Sequence, residues 1–483
     1  MWLTVSNQAT KVTQASREEL DWLRDYLGVE DAKAKFRTGE ERPQSLLNPF
    51  NATFPTGLLE LVLDGTKEGG LRAEVLDQRR QPCQPDPEAD IGWLTDYQEE
   101  ALEYAARKHR GIFWHPTGAG KTEIMVALPL IYRCRWVVFV HRKSLLKEIA
   151  ERFESRTGEE AGVVGDGQWK VRRFTVVMFQ SIYQRLAARD PKVLKLLRSA
   201  EAFSVDECHT TPADSFWQCC MAMENAYFRF GFSGTPLARG DKKGLLVVAC
   251  CGPVLHRIRA PELVAKGAIA RGRVVLVPHV ENPPKGLRLT YDEVYDARIA
   301  RSLPRLALSI AVCRKAPKPM LVFVRYEAHG KLLERALNQA GVPAEFTWGK
   351  KKTPEREAAI RRLEHADTDV LVCSVIFQEG VNIPGLKSVG NFGGGKSDIA
   401  TLQNAGRGSR RRDRDGSVTK DEFTVFDIVD RHCGCRYVSE VDDKLAYRHR
   451  PCMWVDQHAQ ARAAAYMREG YEVVDGSDIK VKP

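Results

Sequence analysis

Two short stretches of the 483-residue chain hold side chains of the kind that handle phosphate. In FWHPTGAGKTEIMVALPLIY (113–132), Gly118 and Gly120 stand between an apolar strand pattern and an apolar helix pattern. There, backbone N–H groups can approach phosphate oxygens closely. Lys121 supplies a charge for the outer phosphates and Thr122 a hydroxyl for Mg²⁺. The pattern G-x-x-x-x-G-K-[ST] asks for glycine at 115, and the chain has His115. That position is the mouth of the loop, so the working part (Pro116, Thr117, Gly118, Ala119, Gly120, Lys121, Thr122) is intact. A glycine-rich turn that binds nothing is the bland alternative; the -GKT ending in a strand–loop–helix setting weighs against it. The second stretch, FSVDECHT (203–210), is an apolar run ending in two carboxylates. At the C-terminal edge of a parallel sheet, Asp206 would hold Mg²⁺ directly or through water, and Glu207 would orient and deprotonate an attacking water. An Asp-Glu pair alone is usually a solvated turn. About 85 residues behind a phosphate loop it reads as a Walker B element.

The bulk properties bound what such a site could serve. The chain is long enough for two to four domains, 43% apolar, and free of low-complexity tracts and fixed-period repeats. No apolar run is long enough for a membrane span, and the start lacks the layout of a secretory signal. A soluble protein of the cytoplasm or nucleoid is expected, or of the host cytoplasm if phage-encoded. The twelve cysteines do not form the framework of a small secreted domain. His432, Cys433, Cys435, Cys452 and His458 could offer zinc ligands, but their spacing is poor for a structural site, which favours plain thiols. The formal charge is +10, yet residues 1–90 hold 11 Lys/Arg against 16 Asp/Glu. The positive charge therefore lies in the rest of the chain, densest in RGSRRRDR (407–414), and suggests a polyanionic partner.

Along the chain, residues 1–90 read as a small α+β domain. A capping box at Ser16–Glu19 opens its first helix, a second short helix closes at Gly65, and RRQPCQPDPEAD (79–90) is a linker. From Ile91 the texture becomes strand–helix alternation. WVVFV, FTVVMF and AFSVDE suit buried parallel strands over 91–260, the ATP-binding domain. A second series (MLVFV, DVLVCSV, EFTVFDIV) spans 301–431, after a connector at 261–300 in which APELVAKGAIARGRVVLVPHVENPPKG (260–286) reads as a helix, a strand and a Pro-marked link. The tail, 432–483, is expected to be mainly helical.

The motifs together resemble a known family. PTGAGKT, VDECHT and FSGTP (232–236) are similar to motifs I, II and III of superfamily 2 helicases. LVFVRYEAHGKLL (321–333), SVIFQEGVNIPGL (374–386) and QNAGRGSRR (403–411) resemble motifs IV, V and VI. Gln98 in LTDYQEEAL matches the adenine-reading glutamine. CCGPVLHRI, PELVAKGAI and the tail helix pattern 456–474 resemble the branch containing XPB and the phage helicase UvsW. Asn404, Asn382 and Asp96 depart from the common residues of motif VI, motif V and the glutamine motif.

The resemblance implies an α/β protein of two tandem RecA-like parallel-sheet domains, with the small α+β N-terminal domain (1–90) as an accessory for a DNA junction or a partner, and the short, mainly helical tail. ATP and Mg²⁺ are implied as cofactors. Lys121, Asp206, Glu207, Gln403, Arg407 and Arg410 are the expected catalytic residues, the two arginines as fingers over the γ-phosphate. Thr122 and Asp206 are the metal ligands; Gln98, the 116–122 loop and Gly380 bind nucleotide. Arg411, Arg412 and Arg414 read as a solvated basic loop. Ser233 and Thr235 would couple hydrolysis to DNA, held mainly through phosphates by Arg142, Lys143, Gln180, Ser181 and Arg325. The implied function is remodelling or unwinding of branched DNA, with replication or recombination proteins as partners and no membrane. An RNA helicase and the motor subunit of a nuclease or restriction system are the alternatives.

Overall fold

The structure is a computed structural model. It describes all residues except 30–43, 211–213, 238–243, 281–289, 350, 352, 375–382, 384, 413–416, 432–442 and 481–483. The chain divides into two compact units, one of Met1–Pro116 and Gly120–Ile258 and one chiefly of Arg259–Pro483.

The first unit begins with a small sheet ordered Thr53–Pro55, Ala9–Thr13, Trp2–Val5, Glu74–Asp77. Leu3, Val12 and Phe54 turn inward onto Leu23, Leu27, Leu58 and Val62 of the following helical segments. The capping box forms as its sequence requires: Glu19 N–H donates to Ser16 Oγ at 3.1 Å and Ser16 N–H to Glu19 Oε2 at 2.7 Å. The second helix, Leu59–Glu68, does not stop at Gly65 but runs on to a cap at Gly69. Gly65 is there for packing: a Cβ at that position would lie 2.5 Å from the Tyr26 ring.

Among the described residues, an eight-stranded sheet follows. Its order is Gln168–Lys170, Gly162–Gly165, Phe174–Met178, Trp136–Val140, Ala202–Asp206, Phe228–Ser233, Arg110–Trp114, Val254–Arg257. Every pairing but the first is parallel. Strands such as WVVFV and AFSVD are buried along their whole length, because helices cover both faces and leave none for solvent. Parallel pairing brings the ends of several strands to one edge, and the polar loops gather there.

Among the described residues, the second unit carries a seven-stranded sheet, all parallel. Its order is Ala344–Thr347, Val370–Ser374, Met320–Val324, Ser388–Asn391, Glu422–Arg431, Arg271–Val280, Glu472–Asp475. Within residues 261–300, read as a connector, Arg271–Val280 pairs with Glu422–Arg431 over ten residues. The tail is a long helix, Asp443–Glu469, and then a strand, Glu472–Asp475, that pairs with Arg271–Val280. No helix among the described residues is long and apolar enough to cross a membrane.

Candidate functional site

The phosphate loop joins the Arg110–Trp114 strand to the Lys121–Ile131 helix. Gly118 and Gly120 have φ of +88° and +70°, the left-handed region open to glycine at low cost. A Cβ on Gly120 would also lie 2.3 Å from Gln98 Nε2. Gln98 is buried at the start of the Asp96–Lys108 helix. Its Oε1 accepts the Thr95 N–H at 2.9 Å and its Nε2 donates to Gly120 O at 3.4 Å, so it braces the loop as well as capping the helix. Lys121 Nζ donates to the His115 carbonyl at 3.3 Å, and Thr122 follows in the first helical turn.

His115, at the position of the missing glycine, is fully buried. Its Nε2 meets His256 Nδ1 at 2.7 Å, and its N–H donates to Ser233 O at 3.1 Å. Burial, then the neighbouring His256 and Lys121, push its imidazole down to about 3, so the ring is neutral near pH 7. The histidine is thus a packing and pairing residue between the Arg110–Trp114 and Val254–Arg257 strands.

Asp206 ends its strand with 8% of its surface exposed. Burial first, and then Glu207, raise its carboxyl above the usual range, while Lys121 and His141 oppose the rise. A buried carboxylate pressed by a second carboxylate, with the Thr122 hydroxyl on the helix the loop opens, is a hard oxygen donor set, so these residues fit Mg²⁺. Glu207 takes a left-handed φ of +50°, and the Thr210 N–H and hydroxyl donate to its carbonyl, both at 3.0 Å. Ser233 Oγ donates to Glu207 Oε2 at 3.4 Å, lies 3.0 Å from His209 Nδ1 and accepts the Thr235 N–H at 3.1 Å. Trp114 Nε1 donates to Gly234 O at 2.9 Å, tying the loop's own strand to the same turn.

The first unit therefore brings together Gln98, the loop, Asp206, Glu207, Ser233 and Thr235. The expected nucleic-acid contacts of that unit lie at strand ends along the same sheet. Arg142 is the residue before the Lys143–Thr157 helix, and exposed Lys143 pairs with Asp166. Gln180 and Ser181 open the Phe179–Ala187 helix, with Gln180 Nε2 donating to His141 O at 3.0 Å.

In the second unit, Gln403 and Asn404 are buried on the Asp398–Gly406 helix, which Arg407 caps with its N–H on Asn404 O at 3.2 Å. Arg410 forms an antiparallel bridge with Ile269. Arg411, expected to be solvated, instead bonds Asp421 Oδ1 at 2.6 Å and Gly267 O at 2.8 Å, because the loop folds back on its own unit. Arg325 is exposed, with its guanidinium 5.3 Å from the Tyr295 ring centre and 5.2 Å from that of Tyr326. Gly380, Asn382 and Arg414 lie outside the described residues, as do His432, Cys433 and Cys435 and the side chain of Cys452. Among the described residues no group of His, Cys, Asp and Glu has the makings of a further metal site.

Two arrangements escaped the sequence reading. His256 stands 141 residues from its partner His115, and no local pattern announces the pair. Asn404 Nδ2 reaches Asn391 Oδ1 at 3.4 Å, and Asn391 Nδ2 donates to Asp427 Oδ2 at 2.9 Å. Arg462 and Tyr466 of the tail helix close on the same carboxylate at 2.8 Å and 2.9 Å. The departure at Asn404 is thus one end of a buried polar network anchoring the tail helix.

Residues 92–238 match the family described as "Type III restriction enzyme, res subunit", and residues 301–412 the "Helicase conserved C-terminal domain". The chain is 24% identical over 358 residues to the DNA 3'-5' translocase XPB2 of Sulfurisphaera tokodaii, covering 67% of this chain and 80% of that one. It is 22% identical over 448 residues to the ATP-dependent DNA helicase uvsW of Enterobacteria phage T4, covering 84% and 86%. The structure of Saccharomyces cerevisiae Dbp5 bound to RNA and ADP BeF3 shares the fold, with a TM-score of 0.51 and 13% identity over 80% of this chain and 90% of that one. With motifs I to III at one edge of a parallel sheet and motif VI on a helix of the unit with the second such sheet, the chain carries the two matched domains and is similar to the superfamily 2 helicases and translocases of the XPB/UvsW-like branch.

Proposed function

We propose that this chain is an ATP-dependent DNA translocase that remodels branched DNA, such as forks, Holliday junctions and displacement loops, in replication, recombination or repair. The observation that carries the reading is the bond set of Ser233. One hydroxyl contacts the carboxylate assigned to water activation, the histidine of the DECH stretch and the turn that leads to Thr235. These bonds give a change at Glu207 a route to Thr235, two residues beyond Ser233, which supports a coupling of hydrolysis to movement.

In this reading the 116–122 loop and Lys121 hold the phosphates, Gln98 reads the adenine, and Glu207 orients the water and takes its proton. Thr122 and Asp206 hold Mg²⁺, which when bound neutralises charge on the phosphate oxygens. Arg407 and Arg410 stabilise the transition-state charge, with Gln403 positioning phosphate or water and Gly380 contributing to the nucleotide site. Arg142, Lys143, Gln180, Ser181 and Arg325 take DNA phosphates. The exposed Lys143–Asp166 pair is weak enough to exchange for a phosphate contact.

DNA is favoured over RNA because two relatives matched over most of their own length carry DNA in their names. The test is the ATPase rate with linear duplex, single-stranded DNA, RNA, forks and four-way junctions at fixed salt, beside junction migration. Branched DNA should stimulate most, and Lys121→Ala should lower turnover about 10²- to 10³-fold while DNA affinity stays. Preferential stimulation by RNA would replace the reading with an RNA helicase.

A further inference from the structure

Three segments of the second unit meet at the C-terminal edge of its sheet. Met320–Val324 and Ser388–Asn391 are neighbouring parallel strands, so the residues that follow them leave the sheet side by side. Arg325 follows the first strand, and FGGGKS (392–397), with Lys396, follows the second. A Cβ on Gly393 would lie 3.3 Å from the Arg325 backbone nitrogen, so the two loops touch. The Phe392 N–H donates to Phe323 O at 3.0 Å and the Tyr295 hydroxyl to Gly393 O at 2.6 Å, which fixes the start of the glycine loop. Further along, a Cβ on Gly395 would meet nothing within 4 Å, so the space above the loop is open.

The third segment is the tail helix. Trp454 and Val455 pack with Tyr295 and Tyr326, the two rings beside the Arg325 guanidinium. Two turns later, Arg462 Nη1 donates to Gly395 O at 2.7 Å, next to Lys396. His458 stands between these anchors, one turn after Trp454 and one turn before Arg462, and so on the same face of the helix. Burial, then Lys396, Arg462 and Arg325, push its imidazole down to about 4. Near pH 7 the ring is neutral and offers one N–H.

The charges differ in what they can still bind. Arg462 is committed to the buried Asp427 carboxylate at 2.8 Å. Asp292 accepts the Tyr326 hydroxyl at 3.1 Å, and Asp296 pairs with Arg301 at 3.0 Å. Arg325 and Lys396 are exposed cations beside an open loop, with a half-buried neutral donor behind them. That set suits a singly charged oxyanion, and a phosphodiester has one negative charge shared by two free oxygens. We propose that Lys396 and His458 complete, with Arg325, a seat for one backbone phosphate of DNA, so that the tail helix takes part in the grip. This rests on the DNA-translocase reading above.

The test is the affinity of the full chain for a labelled forked DNA across a salt series, with Lys396→Ala, His458→Ala and His458→Gln beside the wild type. Lys396→Ala should weaken binding about tenfold and flatten the log–log salt slope by about 0.9. His458→Ala should weaken it about fivefold with the slope unchanged, because a neutral donor displaces no counterion. His458→Gln, which keeps a donor, should recover most of that loss. Urea unfolding of each form shows that the loss is not one of folded protein. Wild-type affinity and slope in both alanine forms overturns the seat. Competition by inorganic phosphate at constant ionic strength, abolished by Lys396→Ala, also overturns it and makes the pocket a free-phosphate site. Failure of the underlying reading shows separately, as a wild-type chain that binds no DNA at any salt.

Discussion

Ser233 Oγ and His209 Nδ1 lie 3.0 Å apart, both buried, and bind the loop after one strand to the end of its neighbour. Removing the hydroxyl takes one contact each from the imidazole, the Glu207 carboxylate and the Thr235 N–H. Ser233→Ala should keep ATP hydrolysis within about threefold while strand separation per ATP falls about tenfold. Paired ATPase and unwinding measurements check this; equal loss of both would mean the serine serves hydrolysis alone.

His115 invites the opposite experiment, restoring the consensus glycine. The imidazole fills space between two strands and pairs with His256. His115→Gly should therefore destabilise the first unit by about 2–4 kcal/mol and raise ATPase no more than about threefold. Urea unfolding and initial rates at 25 °C decide it. A large gain in turnover would mark the histidine as a defect of the loop.

Acid should unfold the protein through its buried histidines. His115 and His329 are both pushed down to about 3, chiefly by burial. The unfolded chain binds their protons near pH 6.5 and the folded chain does not, so their stabilisation is complete above that pH. It is lost as pH falls from there towards 3, at about 1.4 kcal/mol per pH unit for each ring. His329→Gln should flatten the stability–pH slope by that amount between pH 6 and 4, measured by denaturant unfolding.

Arg462 and Asp427 are a buried ion pair, 2.8 Å apart and almost unexposed. Arg462→Leu leaves the carboxylate without its cation and should cost about 3–5 kcal/mol. Changing both to leucine should recover part of that loss, and a double-mutant cycle on unfolding free energies measures the coupling. Because Asn404 reaches the same carboxylate through Asn391, the single variant should also lower ATPase more than the loss of folded protein explains.

Local chemistry was legible in the sequence and long-range pairing was not. The loop, the Asp206 carboxylate at a strand end and the Ser16 capping box each depend on neighbours within a few residues, so spacing shows them. Gln98 shows the limit. Thr95-x-x-Gln98 is itself a capping-box pattern, yet reading Gln98 as an adenine contact hid its bracing of Gly120. A strand within 260–286 was legible, but its place in the second sheet was not, because its partners begin at Glu422 and Glu472, and parallel pairing leaves no mark near the strand itself. His256 and Arg462 escaped for the same reason.

That late pairing sets a timetable for synthesis on the ribosome. The strands of the first unit are all translated by Arg257, whereas Arg271–Val280 waits for Glu472–Asp475 to cover its far edge. At about 5–20 residues per second, the ATP-binding half has roughly 10–40 s to fold before the second sheet can be completed. During that interval the nascent second half presents a bare strand edge, and chaperone demand during expression should concentrate there.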